Sequence, residues 1–246
     1  MTELEPYSTF FKEYCGLKSK VEEKRWEAEK PAFEAFQYRY QRHSVEVDEI
    51  YAKNSPNYNV FSILGLGRFE VLLHSPFLRN LLDPKGSHGQ GTLFLKSFFK
   101  DVLKIEFDDN KVSYVRVSEE FRMLSGRIDL LITYSEESTK KAIVIENKIY
   151  AKDQQNQLLR YYSYVKDYRG YEPKNITLVY ISPEGHQPSK YSIDESARAS
   201  VEDKSTLICA SHRKDIKPWL TSAVVQSKSE TLKSIINQYI KTISKL

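Results

Sequence analysis

Three residues near the middle of this sequence are of the types, and at the spacing, that can bind a divalent cation and work on a phosphate ester: Asp129, Glu146 and Lys148. They lie at the ends of two apolar runs, 127–134 and 141–148, separated by the polar stretch Ser135-Glu136-Glu137-Ser138-Thr139-Lys140. If the runs form a hairpin centred between Glu137 and Ser138, Asp129 faces Glu146. Directly opposed residues of an antiparallel pair share one face, with Cβ atoms roughly 4.5–5.5 Å apart. Lys148, two positions further, shares that face. A slip of two residues would make the contact diagonal.

Two carboxylates brought together at the edge of a core repel, and a divalent cation relieves the repulsion. Mg²⁺ or Mn²⁺ suits such a pair, because a hard ion takes one or two carboxylates and completes its shell with water and substrate phosphate. The backbone carbonyl of Asn147 offers a further metal ligand, since the Asn147 side chain points to the other face. The lysine would hold a phosphate oxygen, orient the attacking water or stabilise charge in the transition state. An ion pair at a sheet end is the plainer reading of the same residues, because D…E-x-K is a short pattern.

The elements that must position these residues are legible in outline. Residues 8–52 read as helical, with Phe10, Tyr14, Leu17 and Val21 on one face and a break at Pro31 that predicts two helices. Asn54-Ser55-Pro56-Asn57 is a loop and the internal boundary, dividing a helical extension, 1–58, from a main domain, 59–246. A helix carrying Phe69, Leu72, Leu73 and Phe77 follows, kinked or ended at Pro76. Glu70 and His74 lie four apart on its neighbouring face. Residues 92–103 predict another helix. Strands are expected from 112 to 117, then at 127–134, 141–148, 175–181 and 206–210. Asp153 is expected to cap a helix running to 166, and 231–243 a last helix. The two central runs, apolar on both faces, predict an α/β sandwich.

Gly126-Arg127-Ile128-Asp129 followed by Ile145-Glu146-Asn147-Lys148-Ile149 resembles the PD-(D/E)XK nuclease superfamily, in an uncharacterised bacterial branch, with Ile128 in place of the namesake proline. Phe69-Glu70, His74-Ser75, Leu81-Leu82-Asp83-Pro84 and Gly86…His88-Gly89 resemble the stretch before its catalytic strands. Asp153-Gln154-Gln155, Gln157-Leu158 and Arg160-Tyr161-Tyr162 resemble the helix after them, with a weaker echo at Trp219 and Gln238-Tyr239. The resemblance implies an α/β, restriction-endonuclease-like core in the order αβββαβ, a mixed central sheet flanked by helices. It implies Asp129, Glu146 and Glu70 as metal ligands, Lys148 as the catalytic lysine, and Gln157 as a polar residue that helps position substrate. Gln154, Gln157 and Tyr161 then share one face of their helix.

Arg127, Gln154, Arg160 and His74 are the expected substrate contacts. Tyr161, Tyr162, Tyr164 and Tyr168 offer rings for unpaired bases, although core and rim positions are the commoner use of tyrosine. His88 lies in a glycine-rich turn that lacks the G-K-[ST] of an ATP-binding loop. Two cysteines, Cys15 and Cys209, are too few for a disulfide framework or a thiolate zinc site, and point to reduced thiols in a cytoplasmic protein. The N-terminus lacks the features of a signal peptide, and no run approaches the ~20 apolar residues of a membrane span. A formal charge of +4 permits a polyanionic partner. The expectation is a Mg²⁺- or Mn²⁺-dependent nuclease acting on DNA rather than RNA, in defence, restriction or repair, with a homodimer among the open oligomeric states. The alternatives are an RNA-directed nuclease and a non-catalytic binding module that retains the fold.

Overall fold

The computed structural model describes residues 5–123 and 126–246. They form two units, one ending at Tyr58 and the other running from Asn59 to Leu246. The first is a 50-residue helix, α1 (Glu5–Asn54). The expected break at Pro31 is corrected: the proline sits inside one continuous helix. A mid-helix proline forfeits a backbone hydrogen bond and crowds the preceding turn, at about 3 kcal/mol. Glu, Lys, Arg and Ala, all strong helix formers, surround it. Arg25–Glu29 and Lys30–Glu34 pairs, 3.0 and 3.9 Å apart at i, i+4 spacing, bracket the site.

The second unit opens with α2 (Val60–Ile63) and a wide turn of π type at Glu70–His74, which runs into α3 (Ser75–Leu82). Pro76 lies just after the junction where the wide turn passes into α3, so the helical run does not end there, and its irregularity is the local widening that precedes the proline. After α4 (Leu93–Phe98), widened at Phe99–Leu103, come β1 (Val112–Met123), β2 (Gly126–Glu136) and β3 (Thr139–Asn147). Then follow α5 (Gln157–Ser163), β4 (Ile176–Ser182), α6 (Glu195–Lys204), β5 (Thr206–Ser211), α7 (Lys217–Gln226) and α8 (Glu230–Ile243). The expected αβββαβ order is present, extended by a further helix and strand.

The strands form one sheet in the order β1-β2-β3-β4-β5. β1, β2 and β3 pair antiparallel, whereas β3–β4 and β4–β5 are parallel. The central hairpin is longer than its apolar runs suggest, because β2 continues to Glu136 and β3 starts at Thr139. Glu137 and Ser138 make the turn with φ of 48° and 68°, the left-handed pair that matches strand twist in a two-residue loop. Neither is glycine, so the turn is held from outside. The Glu137 N–H donates to the Lys111 carbonyl, and Lys111 Nζ lies 3.1 Å from Glu137 Oε1.

Apolar layers cover both faces of the sheet. Leu130, Ile132, Ile143 and Ile145 pack with α3, α4, α7 and α8, while Leu131, Ala142 and Val144 pack with α5 and Val201 of α6. β3, with two strands on either side, is buried from Ala142 to Asn147, and its C-terminal end is where polar residues begin. Among the described residues, no helix is long and apolar enough to cross a membrane.

Candidate active site

The β2–β3 ladder runs from Glu136↔Thr139 to Leu130↔Ile145. Carried one step further, that register sets Asp129 opposite Glu146, as the turn symmetry predicts. The ladder does not close there. Asp129 Oδ2 instead accepts the Asn147 N–H at 2.8 Å, so a side chain takes the place of a backbone rung where the strands part. Lys148 remains tied to the sheet through its N–H, which donates to the Ile181 carbonyl on β4.

Glu146 is 1% exposed. Its Oε1 accepts from Lys148 Nζ at 2.5 Å and from Gln157 Nε2 at 2.8 Å. Its Oε2 is equally buried and has no hydrogen-bond partner. Burial pushes the Glu146 carboxyl up from its ordinary range, with Lys148 opposing. Burial would lower the Lys148 ammonium, but Glu146, then Asp129 and Glu70, outweigh it and hold it up. Three carboxylates thus share one ammonium, and one buried oxygen among them lacks a donor.

Glu70 reaches this end of β3 from the far layer. Its Oε1 accepts three successive backbone N–H groups, from Ile149, Tyr150 and Ala151, at 2.5, 3.0 and 3.1 Å. That cradle fixes the chain just after Lys148. Among the described residues, no three His, Cys, Asp or Glu side chains form a ready metal cage. The donor set fits a hard ion held by few protein oxygens: the orphaned Glu146 Oε2 is the kind of ligand a Mg²⁺-sized cation takes while keeping several waters.

Gln157 is the hub on α5. It donates to Glu146 and to Tyr161 Oη, and its Oε1 accepts the Gln154 N–H at 3.0 Å. Tyr161 in turn donates to the Arg127 carbonyl at 2.6 Å. The Asp153 cap is corrected: α5 starts only at Gln157, after Asn156 at φ 51°. Asp153 has better partners, since it accepts from Tyr180 Oη and the Ser189 N–H. Replacing Gln157 with alanine would remove one of the two donors that orient Glu146, leaving Lys148 alone to hold it. Cleavage should fall about ten- to a hundred-fold, as for other residues that orient a metal-facing ligand. An unchanged rate in a steady-state assay would remove Gln157 from the site.

Of the expected substrate contacts, Arg127 is exposed at the head of β2, and exposed Gln154 accepts from Arg160 Nη2 at 3.0 Å. His74 is corrected. It is fully buried, its Nε2–H donates to the Gly67 carbonyl, and its Nδ1 accepts from Tyr239 Oη. The wide turn at Glu70–His74 breaks simple helical spacing, so Glu70 reaches the site while His74 turns into the core. His88 likewise serves its turn, donating to the Asp83 carbonyl and accepting the Gln90 N–H. In that turn Gly86 is required, because a Cβ there would lie 2.2 Å from the Asn80 carbonyl oxygen.

Sequence reasoning missed His212. Its Nε2–H donates to Asn147 Oδ1 at 2.8 Å, and the Asn147 amide donates to Ser75 Oγ at 3.3 Å. This buried string anchors β3 from the face opposite Glu146. Sixty-five positions separate Asn147 and His212, so no local spacing could have paired them. Burial pushes His212 down to about 3, helped by His74, and lowers His74 as well. Both are neutral when folded but take up a proton near pH 6.5 when unfolded. Stability is therefore intact above that pH and declines as pH falls from about 6.5 toward 3, by up to about 1.4 kcal/mol per pH unit for His212. Urea unfolding between pH 7.5 and 5 should show this slope, shallower in His212→Gln; a flat profile would contradict it.

With helices on both faces and its acids gathered where β2 and β3 part, the second unit is a restriction-endonuclease-like domain. Residues 58–241 match the family model of the PD-(D/E)XK nuclease superfamily, and the chain belongs to that superfamily. No curated protein and no solved structure matches it. Membership supports a nuclease-type function on a nucleic-acid substrate, in a family that generally uses divalent metals such as Mg²⁺.

Proposed function

We propose that this chain is a Mg²⁺- or Mn²⁺-dependent nuclease that hydrolyses phosphodiester bonds in DNA, in a setting such as defence, restriction or repair. The observation that carries the reading is Glu146, a fully buried carboxylate with one oxygen clamped by Lys148 and Gln157 and the other unpartnered. A divalent cation held by Asp129 and Glu146 would polarise the scissile phosphate and make the attacking water more acidic. Lys148, pinned beside Glu146, is placed to hold a phosphate oxygen and offset charge in the transition state. Glu70, through its three backbone N–H groups, keeps the Lys148 segment rigid, while Arg127, Gln154 and Arg160 supply donors for the backbone of the bound strand.

The test is cleavage of single- and double-stranded DNA, linear and circular, and of RNA, with Mn²⁺, Mg²⁺ or EDTA. Cutting of DNA that needs metal is expected. Mn²⁺ should also raise the melting temperature, by about 2.7 kcal/mol of added stability at a hundred times its Kd, and Asp129→Asn should lose that rise. Cutting confined to RNA would overturn the DNA assignment. Metal-independent melting without any cutting would favour a binding module that kept the fold.

A further inference from the structure

Beside α5 lies a groove of about 430 Å³ lined by Leu159, Arg160, Tyr164, Asp167 and Tyr168, among others. Its wall is a short aromatic array. Phe121 of β1 meets Tyr164 at 6.0 Å, and Tyr164 stacks on Tyr168 with centroids 5.5 Å apart and planes 15° from parallel. The array ends in the open, since Tyr168 is 73% exposed. An apolar ring that projects so far gains little from folding. Two cations lie on the same turn of chain, though neither lines the groove: the Arg169 guanidinium is 5.4 Å over the Phe121 ring, and Lys166 sits over Tyr162 and pairs with Asp167.

Arg160 links the groove to the catalytic end of the sheet. Its guanidinium packs at Gly126, three residues before Asp129, where a Cβ would lie 3.6 Å away and where φ of 144° favours glycine. It donates to Gln154, whose N–H is bound by Gln157, which holds Glu146. The groove and Glu146 are thus joined by three linked residues, Arg160, Gln154 and Gln157. A stacked aromatic pair with guanidinium and ammonium groups nearby is the chemistry that receives a nucleobase face and its phosphates. In a duplex that face is covered by neighbouring base pairs, and only an unpaired base presents it.

We propose that the α5 groove is a binding site for an unpaired nucleobase, stacked on Tyr168, and that the nuclease acts on strands with a single-stranded segment. The inference rests on the nuclease reading for its place in catalysis, but it is tested by binding alone. Fluorescence anisotropy in EDTA, with the full chain, compares labelled oligothymidylate, oligouridylate and a blunt DNA duplex. Tyr168→Ala should weaken single-strand binding roughly five- to a hundred-fold, the range for one lost base stack, and leave duplex binding unchanged. Tyr168→Phe, which keeps the ring, should retain the affinity. The two single strands distinguish DNA from RNA as the source of the base.

Equal single-strand affinity of Tyr168→Ala and the unaltered chain overturns the proposal. So does a loss in Tyr168→Phe as large as in Tyr168→Ala, which would assign the hydroxyl rather than the ring. Because no metal is present, an absence of cutting under any condition would sink the nuclease reading and leave a Tyr168-dependent binding result standing. Metal-dependent cutting with Tyr168-independent binding would sink this inference alone.

Discussion

Lys148→Ala is expected to reduce cleavage by about a hundred- to a thousand-fold while the protein remains folded. The side chain is nearly buried, and its ammonium sits 2.5 Å from Glu146 Oε1. Removing it takes away an ammonium whose charge Glu146, Asp129 and Glu70 all attract, and with it the donor proposed for the phosphate. Loss of one such preorganised donor in a water-poor site lowers turnover by about a hundred- to a thousand-fold, near 3–4 kcal/mol of transition-state stabilisation. The cost to folding is smaller than for a strictly ionised pair. Glu146 is already pushed toward its neutral form by burial, and once Lys148 is gone it takes up a proton more readily. The Lys148 N–H keeps its bond to Ile181, and both apolar layers are untouched. Far-UV circular dichroism should match the unaltered protein. Cutting at an undiminished rate would remove Lys148 from the mechanism.

Trp219→Ala is expected to give the largest loss of stability of any single change considered. Trp219 is 1% exposed on α7, packs edge-on against Phe98 at 5.0 Å, and donates its indole N–H to Ser97 Oγ at 2.8 Å. It joins α7 to α4 in the layer that faces away from Glu146. Truncation removes a large buried ring and leaves a cavity between helices that the sheet holds in place, for about 3–5 kcal/mol. Against a total stability of about 5–15 kcal/mol, that is a large fraction. The midpoint should fall by on the order of 10 °C. Cleavage per folded molecule should survive at low temperature, because no catalytic side chain touches Trp219. A loss below about 1 kcal/mol in urea titration would contradict the packing.

The first prediction draws on a site that was partly legible from sequence. The polar turn between the apolar runs set the β2–β3 register, because a two-residue turn centred between Glu137 and Ser138 fixes which residues of the two strands face each other. That register alone placed Asp129, Glu146 and Lys148 on one face. The strands and several helices of the core also followed from local pattern, but β1 continues to Met123 where an end at 117 was expected, and α6 and α7 were missed. Local pattern misjudged Pro31, since a breaker's cost is fixed while the surrounding helix formers and ion pairs add up along 50 residues.

Tertiary structure decided the rest. Glu70 and His74 look equivalent on a regular helix, yet the wide turn sends one to the Lys148 segment and the other to Tyr239. Asp153 looks like a cap, yet Tyr180 and Ser189 claim it from other elements. His212 meets Asn147 only because β5 brings it under the end of β3. Sequence alone determined which side chains the central strands present, because alternation along a buried strand is a local rule. Which oxygen of Glu146 stays unpartnered, and which residues clamp the other, depended on the packing of α5 across the sheet. Contacts between residues distant in sequence are set by the folded arrangement of elements, and no spacing along the chain encodes them.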